Sequence, residues 1–391
     1  MKKGWSYKKL GEVCEIYNGN SINADFKRKH FFGVKEGLPF IATKDISTVG
    51  TIDYKNGVRI PNFEDYKIAP AKSIFICAEG GSAGKKIAYV EQDVCFGNKL
   101  YCLNPKSNNL IGKFVYYYIQ SEKFKEQFYS MLTGLIGGVS AKKFQSIEIS
   151  FPSASEQQHI VSRLDSTFAH IDTLKANAEK QLREARALFQ KALERAMEPK
   201  DGWEEKTLGD VCDIIGGGTP DTKRKEYWNG NIPWATVSDM NCDELKSTGY
   251  YITDKGLKES SSRIIKKGEI IIATRVGLGK VCKLLVDTAI NQDLKGIIPK
   301  DDNIIREFLF YYFKQKAKYI IDNGIGATVK GVKIKFIEGL SFGYPPISDQ
   351  QHIVARLDSL SANLREFENI QRKIIAECDA LKQALLRKVF E

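Results

Sequence analysis

Two long stretches of the chain place an apolar residue at every third or fourth position. Neither stretch contains a proline or a glycine between its first and last apolar position. This spacing predicts two helices with heptad-like apolar seams, each about 40 residues and ~60 Å long. The seam positions of the first stretch are Ile160, Leu164, Phe168, Ile171, Leu174, Ala178, Leu182, Ala185, Phe189 and Ala192. Those of the second stretch are Ile353, Leu357, Leu360, Leu364, Phe367, Ile370, Ile374, Cys378, Leu381 and Leu385.

Short runs of β-branched and aromatic residues characterise the region that precedes each predicted helix. Clusters of glycine, asparagine, aspartate and proline separate these runs, which predicts globules that are mostly β-sheet and partly helical. Within the first globule, the segment Phe114–Leu132 predicts one helix. The clearest β-rich runs are Ser73–Ala78, Lys86–Val90, Glu269–Val276 and Lys280–Val286.

The chain repeats itself in the same order. SEQQHIVSRLDS at Ser155–Ser166 returns as SDQQHIVARLDS at Ser348–Ser359, with ten of twelve letters unchanged. Three further segments recur at offsets of 194 to 198 residues, which predicts a tandem duplication of roughly 195 residues. The ends of the two copies match better than their middles. The recurring segments are Gly4–Gly19 with Gly202–Gly217, Pro39–Ile46 with Pro233–Met240, and Phe114–Ile119 with Phe308–Phe313.

The duplication predicts how the two long helices pack. A lone helix of this length would leave its apolar seam in water, so the two helices are expected to pair; packing of each helix onto its own globule is the alternative. Two equivalent helices related by pseudo-twofold symmetry would form an antiparallel coiled coil. We therefore predict an α+β fold in which a β-rich globule followed by a long helix is duplicated in tandem. The expected boundaries are 1–154 and 200–347 for the globules and 155–199 and 348–391 for the helices, with Ser155 as the N-cap of the first helix.

Composition and charge narrow the class of protein. The 391 residues are 42% hydrophobic and 27% charged, as in globular proteins of two or three domains. No apolar run approaches the ~18–20 residues that cross a bilayer, and no signal peptide is visible, so we expect a cytoplasmic protein. The eight cysteines lack metal-site spacing and are expected to be reduced and mostly buried. A net charge of +11 would attract polyanions, although a generically basic protein is the alternative.

Several fragments imitate catalytic motifs without completing them. Glu79–Lys86 and Arg275–Lys280 lack the spacing of a phosphate-binding loop. The segment Tyr344–Ile347, YPPI, is similar to the [DN]-P-P-[YF] motif of amino-methyltransferases. It has a tyrosine at the position where that motif has the Asp or Asn that accepts a hydrogen bond from the target amine. His159 and His352 recur at equivalent positions with no nucleophile beside them, which favours a packing or partner contact. The sequence therefore predicts no catalytic site, no metal site and no cofactor bound by this chain.

The order of the repeated motifs resembles one known family. Each copy reads GW-x4-LG-x-VC-x-I, then a divergent β-rich region, then a helix opening with P-x2-S-[ED]-QQHIV-x-RLD. This arrangement resembles the specificity subunit of type I restriction-modification systems over nearly the whole chain. Gly218–Met240 and the RVGLGK and INQD segments also look like target-recognition domains of that family. The first copy departs from this pattern, with EGGSAGKK and FGNK at the corresponding places.

The resemblance implies a DNA-recognition subunit without its own catalytic site. Two target-recognition domains would each read one half of a bipartite, asymmetric site in double-stranded DNA. The helices would set the gap between the halves and dock two modification subunits, which carry S-adenosylmethionine and methylate adenine; restriction (translocase/endonuclease) subunits would complete the complex. The docking residues that we expect at the two helix starts are His159, Arg163, His352 and Arg356.

Two loops of each globule are the predicted DNA contacts. Lysine and arginine bind phosphates, while arginine, lysine and small polar side chains read base edges, and glycines let backbone approach a groove. Solvated turns with incidental charge are the alternative for each residue. Two alternatives to DNA recognition stay open: the chain could be an assembly scaffold that binds only proteins, or a methyltransferase that acts alone. The predicted contacts are Lys27, Arg28, Lys29, Ser82, Lys85 and Lys86 in the first copy and Thr219, Lys223, Arg224, Lys225, Arg275 and Lys280 in the second.

Overall fold

The computed structural model describes residues 4–133, 137–326 and 329–391. The chain divides into two compact units, of which the first comprises Met1–Glu179 with Arg372–Glu391 and the second comprises Lys180–Gln371. Each unit therefore contains one globule, part of the first long helix and part of the second. Among the described helices, none combines the length and hydropathy that crossing a bilayer requires.

The first globule contains ten short strands and five short helices within its described residues. Its strands are β1 (Ser6–Lys9), β2 (Cys14–Asn18), β3 (Leu38–Ile41), β4 (Arg59–Ile60), β5 (Ile68–Ala69), β6 (Ile74–Cys77), β7 (Ile87–Tyr89), β8 (Val94–Phe96), β9 (Leu100–Pro105) and β10 (Glu148–Phe151). Its helices are α1 (Leu10–Val13), α2 (Ala24–His30), α3 (Gly112–Tyr118), α4 (Glu122–Ser130) and α5 (Ala141–Gln145), and the long helix α6 (Ala154–Ala196) follows.

The second globule contains eleven strands and four short helices within its described residues. Its strands are β11 (Glu204–Thr207), β12 (Cys212–Gly216), β13 (Trp228–Ala235), β14 (Glu244–Leu245), β15 (Tyr250–Ile252), β16 (Arg263–Ile265), β17 (Ile270–Ala273), β18 (Val281–Leu284), β19 (Thr288–Ile290), β20 (Leu294–Pro299) and β21 (Ser341–Tyr344). Its helices are α7 (Leu208–Val211), α8 (Asp254–Lys258), α9 (Arg306–Asp322) and α10 (Ile334–Glu338), and the long helix α11 (Ile347–Phe390) follows.

The sheets of the two globules have the same strand order, which confirms the duplication in three dimensions. One sheet has the order β2-β9-β6-β7 in the first globule and β12-β20-β17-β18 in the second, where β14 is added at the edge. The other sheet has the order β4-β3-β8-β5 in the first globule and β15-β13-β19-β16 in the second. The central pair of this second sheet is parallel in both globules.

The beginning and end of each globule are joined, which explains why the repeats are strongest there. The opening strand β1 pairs antiparallel with β10, and β11 pairs in the same way with β21. The Trp5 ring lies 6.0 Å from Phe114, and the Trp203 ring lies 5.9 Å from Phe308. Each repeated GW and LG therefore belongs to the framework that closes a globule just before its long helix.

The segment predicted as one helix over Phe114–Leu132 is instead two helices, α3 and α4. The Ser121 hydroxyl accepts a hydrogen bond from the backbone N–H of Phe124, so this serine caps a new helix and interrupts the first. The corresponding segment of the second copy is the continuous helix α9. The hydrophobic period alone could not distinguish these two outcomes.

The two long helices pack against each other in both units, as predicted. In the first unit, Phe168 near the start of α6 shares a hydrophobic core with Leu386 and Phe390 near the end of α11. In the second unit, Leu193 near the end of α6 shares a core with Leu357 near the start of α11. The helices therefore run antiparallel. Both cores also include globule residues, so packing between the helices and packing onto a globule occur together.

Candidate nucleic-acid interface

One buried glutamine fixes the start of each long helix to its own globule. The side chains of Gln157 and Gln350 are fully buried. In each case the side-chain oxygen accepts a backbone N–H, from Ile111 at 2.9 Å and from Ile305 at 2.9 Å. The amide nitrogens donate to backbone carbonyls of Asn109 and Pro152 in the first unit and of Asn303 and Pro345 in the second.

A second hydrogen-bonded attachment, also repeated in both units, lies two turns further along each helix. The Tyr117 hydroxyl donates to Asp165 on α6, and the Tyr311 hydroxyl donates to Asp358 on α11 at 2.6 Å. Burial, and then the neighbouring carboxylate, raise the pKa of both tyrosines, so they remain neutral donors. The repeated helix-start motif thus orients each helix on its globule, and sequence reasoning identified the motif but missed this role.

The helix α6 begins two residues earlier than predicted. Ser153 and not Ser155 is its N-cap, because the hydroxyl of Ser153 accepts the backbone N–H of Glu156 at 3.4 Å. The predicted docking residues lie on the turns that follow. His159 and Arg163, like His352 and Arg356, are exposed and four residues apart, so each pair lies on one helix face.

The first basic segment of the first globule is a helix and not the predicted loop. Lys27, Arg28 and Lys29 lie in the last turn of α2, which the Asn23 side chain caps by accepting two backbone N–H groups. Basic side chains at a helix C-terminus interact favourably with the helix dipole. Lys27 packs over the Phe40 ring at 4.9 Å, whereas Arg28 and Lys29 are exposed.

The corresponding segment of the second globule, Thr219–Lys225, has no α-helix. Its Arg224 makes more contacts with the globule than a solvent-exposed loop residue would. Thr219, Lys223 and Lys225 are exposed, and the Thr219 hydroxyl donates to Gln292. Arg224 instead donates to the Tyr227 hydroxyl at 2.5 Å and lies 3.5 Å from Glu259. Its guanidinium is therefore held partly by the globule, while both neighbouring lysines face solvent.

The glycine-flanked loops are the turns of two equivalent hairpins, β6–β7 and β17–β18. Lys86 donates to the carbonyl of Thr43 at 2.8 Å, and Lys280 donates to the carbonyl of Val237 at 3.3 Å. These two lysines are half-buried and tie each hairpin to a neighbouring 3-10 turn. The structure therefore gives both a framework role that the sequence did not indicate.

The exposed members of these hairpins differ between the globules. Lys85 is exposed and donates to the carbonyl of Gly81 at 3.1 Å, and Ser82 is half-buried. Arg275 is 55% exposed and lies 3.6 Å from Asp293. Both turns contain two glycines at positive φ, Gly80 with Gly84 and Gly277 with Gly279, which allow a tight backbone approach. Arg275 is therefore the most available basic side chain among the predicted residues of this hairpin.

The INQD segment connects the two predicted contact loops of the second globule. Gln292 accepts the hydrogen bond from Thr219, while Asp293 lies beside Arg275. Beneath them Lys295 is buried and donates to the carbonyls of Gln292 and Leu294, and burial lowers its pKa. Sequence reasoning noted this segment only as a family pattern. The structure brings the two loops together through exposed Gln292 and identifies buried Lys295 as a support beneath them.

The exposed basic segments lie on two globules that share a strand order, apart from the added strand β14. A comparison with known families assigns both globules to one domain family. The model of the type I restriction modification DNA specificity domain matches residues 2–184 and again residues 200–377. The two matches together account for most of the chain, one for each copy of the duplication. The chain belongs to this family.

Curated relatives carry the same assignment. The type I restriction enzyme MjaIX specificity subunit of Methanocaldococcus jannaschii is 36% identical over 187 residues, which are 46% of this chain and 43% of that protein. The EcoR124I/EcoR124II specificity subunit of Escherichia coli is 30% identical over 266 residues, covering 64% and 63%. The StySPI specificity subunit of Salmonella potsdam is 22% identical and covers 100% and 89%. The matches thus span less than two thirds of the first two relatives.

Two solved structures share the fold. A chain from the structure of a type I R-M system, determined to explain complex assembly and conformational transition, matches with a TM-score of 0.81 and 19% identity, covering 100% of this chain and 98% of that chain. The HsdS subunit from Thermoanaerobacter tengcongensis matches with a TM-score of 0.56 and 19% identity, covering 100% and 97%. The α+β fold and the resemblance to specificity subunits are thereby confirmed.

Proposed function

We propose that this chain reads a bipartite, asymmetric DNA site, with each globule recognising one half. One observation supports the proposal above the others. The two globules share a strand order but present different basic segments after their second strand, the helix α2 in one and the Thr219–Lys225 segment in the other. Equal scaffolds with unequal exposed surfaces would suit two half-sites of different sequence.

The charge of the chain supports a polyanionic ligand. A net charge of +11 favours association with the phosphates of double-stranded DNA, which supplies affinity without sequence information. Exposed Arg28, Lys29, Lys223 and Arg275 have the hydrogen-bonding groups that bind phosphates and guanine edges. Sequence-specific contacts would come from the exposed members of these segments, since Lys86 and Lys280 are already engaged by backbone carbonyls.

The helix starts would dock the catalytic partners. The same exposed histidine and arginine appear one turn apart on α6 and on α11. Two equivalent surfaces would fit two copies of one subunit, and in a type I system these would be the modification subunits that bind S-adenosylmethionine and methylate adenine. Restriction subunits would join the same complex in the cytoplasm. The chain itself would supply no catalytic group, so chain alone with methyl donor and DNA should transfer nothing.

Methylation mapping in cells tests the assignment of half-sites. Cells carrying the chain with its modification subunit should show adenine methylation at a split motif. The triple variant T219A/K223A/K225A should alter only one half of that motif, while R28A/K29A should alter only the other. Buried Tyr227 and partly engaged Arg224 are left unchanged to protect the fold. Each variant serves as the control for the other, and the unaffected half shows that the chain is folded.

Either of two results would contradict the proposal. A variant that changes both halves would mean that recognition is not divided between the globules. A motif that ignores both variants would mean that another surface reads the DNA. Binding of the purified complex to duplex DNA at several salt concentrations adds an independent measurement, because neutralising several phosphates gives a steep fall of log affinity against log salt. A flat dependence would favour the protein-scaffold alternative.

A further inference from the structure

Ion pairs join the long helices in both units, and two of them occupy equivalent positions of the duplicated helices. In the first unit, Lys175 of α6 contacts both carboxylate oxygens of Asp379 of α11 at 2.7 Å. In the second unit, Arg186 of α6 contacts Glu368 of α11 at 2.6 Å. In both cases α6 supplies the cation and α11 supplies the anion.

The duplication makes these two ion pairs equivalent in position but opposite in polarity. Lys175 and Glu368 are 193 residues apart, as are Arg186 and Asp379, which is the offset of the repeated helix-start motif. Their environments agree with this equivalence. The side chains of Lys175 and Glu368 are 25% and 19% exposed, whereas those of Arg186 and Asp379 are 50% and 61% exposed. The duplicated positions therefore keep their burial and their ion pair while exchanging the sign of the charge.

This polarity distinguishes the correct helix pair from the two incorrect ones. An α6 helix that met the α6 helix of a second copy in the same antiparallel register would bring Lys175 against Arg186 twice. An α11 helix that met a second α11 helix would bring Glu368 against Asp379 twice. Opposite charges across helices stabilise a pair and like charges destabilise it by similar amounts. Only the pairing of α6 with α11 gives attraction at both places.

A third ion pair has the opposite polarity, with its cation on α11, and it disfavours one of the two incorrect pairings. Lys382 of α11 donates to Asp172 of α6 at 2.5 Å in the first unit. The position equivalent to Asp172 in the second copy is Arg365, again at an offset of 193 residues and with the opposite charge. Two α11 helices would therefore oppose Arg365 with Lys382. In the native second unit, Arg365 is neutralised by Asp243 of the globule at 2.9 Å.

We propose that these charges select the helix partner, so that α6 and α11 accept each other and reject the same helix of a second copy. The need for such selection comes from the duplication, because two helices with similar apolar seams could otherwise pair in like-with-like combinations. Selection by charge keeps two different globules in one molecule. Selection of the helix partner by charge does not depend on whether the globules bind DNA as proposed above.

Variants of the intact chain can reproduce the incorrect contacts. E368R/D379K gives α11 the charges of α6 and so imitates an α6–α6 contact, while K175E/R186E imitates an α11–α11 contact. The quadruple variant restores two ion pairs of reversed polarity. K180E/E184K is the matched control, because it reverses an exposed ion pair within α6 that does not cross to α11.

Thermal unfolding at low ionic strength gives the first readout. We expect each double variant to lower Tm by about 2–6 °C, the quadruple variant to regain most of that loss, and the control to match the original chain. The differences should shrink near 1 M salt, where the Debye length is about 3 Å. Double variants as stable as the original chain, or a quadruple variant no more stable than the doubles, would overturn the proposal. If a double variant fails to fold, recovery in the quadruple variant still decides.

Co-expression of two full-length chains with different tags gives the second readout. In E368R/D379K both helices are basic at these positions, and in K175E/R186E both are acidic. The helices of one variant therefore complement those of the other, so the two variants should co-purify several-fold more than two copies of the original chain. Equal co-purification would show that the charges stabilise the helices without choosing their partner, and the selection proposal would then be rejected.

Discussion

At the scale of single residues, the first glutamine of the repeated QQHIV motif is buried and hydrogen-bonded to the globule, whereas the second is exposed. Gln157 satisfies three backbone groups of the first globule, whereas Gln158 is exposed. Gln350 and Gln351 repeat this contrast in the second unit. This one side chain therefore contributes strongly to the attachment of each long helix, because a buried polar group without a partner is costly.

Replacement of Gln157 by leucine should destabilise the first unit. The leucine keeps the approximate volume but leaves the N–H of Ile111 and two carbonyls without their partner, which should lower the free energy of unfolding by about 2–4 kcal/mol. Urea unfolding followed by circular dichroism measures the change. Gln158→Leu, one residue away and exposed, should stay within ~0.5 kcal/mol of the original chain. Equal effects of the two substitutions would mean that the buried hydrogen bonds do not hold the helix.

The sequence contains a signal for the buried role of Gln157. Gln157 lies four residues before Val161 and seven before Leu164, and both of these are buried, so the glutamine is in phase with the apolar face of α6. A polar residue on an apolar face indicates a buried hydrogen-bonding role. The acceptors and donors that it reaches come from the preceding globule, and no pattern within the helix could identify them.

At the scale of elements, two segments with the same KRK triplet adopt different structures. Asn23 caps a short helix before Lys27–Lys29, whereas Pro220 and Asp221 precede an irregular segment around Lys223–Lys225. The local caps and turn residues decide the outcome, and the shared triplet does not. Sequence reasoning predicted the positions of both segments from the repeat but assigned a loop to both, because a seven-residue helix carries too short a period to detect.

Removal of the α2 cap should affect recognition more than stability. Asn23→Ala deletes the acceptor of two backbone N–H groups and should destabilise the helix by about 1 kcal/mol. The described helix buries no residue, so Tm of the chain should hardly change. In the assembled complex, discrimination against a mismatch in the first globule's half-site should fall about fivefold, as a loss of ~1 kcal/mol implies.

The second half-site supplies the control for this variant within the same assay. Discrimination there should be unchanged, since Asn23 belongs to the first unit and the Thr219–Lys225 segment belongs to the second. Competition between matched and mismatched duplexes in methyl transfer measures both values. A loss of discrimination at both half-sites, or a fall in Tm of many degrees, would show that α2 supports the fold more than the reading of DNA.

At the scale of the whole molecule, the sequence was most informative where patterns were long. The seams of α6 and α11 extend over many turns, so their helical period and their pairing were predictable. The duplication also predicted two globules of one topology. The surfaces proposed to contact DNA were less predictable because the copies diverge there. Framework lysines such as Lys86 and Lys280 also have the same residue type as the proposed contacts. The structure distinguishes framework lysines from exposed basic residues by their hydrogen-bond partners.

Matched insertions in the two long helices test whether they set the gap between half-sites. Seven residues would be inserted between Lys180 and Gln181 in α6 and seven between Lys373 and Ile374 in α11, which are equivalent positions 193 residues apart. Each insertion preserves the heptad phase and lies between the two ion-paired positions of its helix, so both ion pairs remain in register. A heptad adds about 10 Å of helix, or ~3 base pairs of DNA length.

Methylation mapping should then show the original half-site sequences with a gap that is about 3 base pairs longer. A matched two-residue insertion at the same places is the control, because two residues turn each helix by about 200°, which moves the apolar seam to the opposite face and should abolish methylation. An insertion in α6 alone should also fail, since the two ion pairs cannot both stay in register. If the matched heptads leave the gap unchanged while methylation persists, the helices hold the molecule together without measuring the DNA. If the half-site sequences change, recognition extends from the globules into the helices.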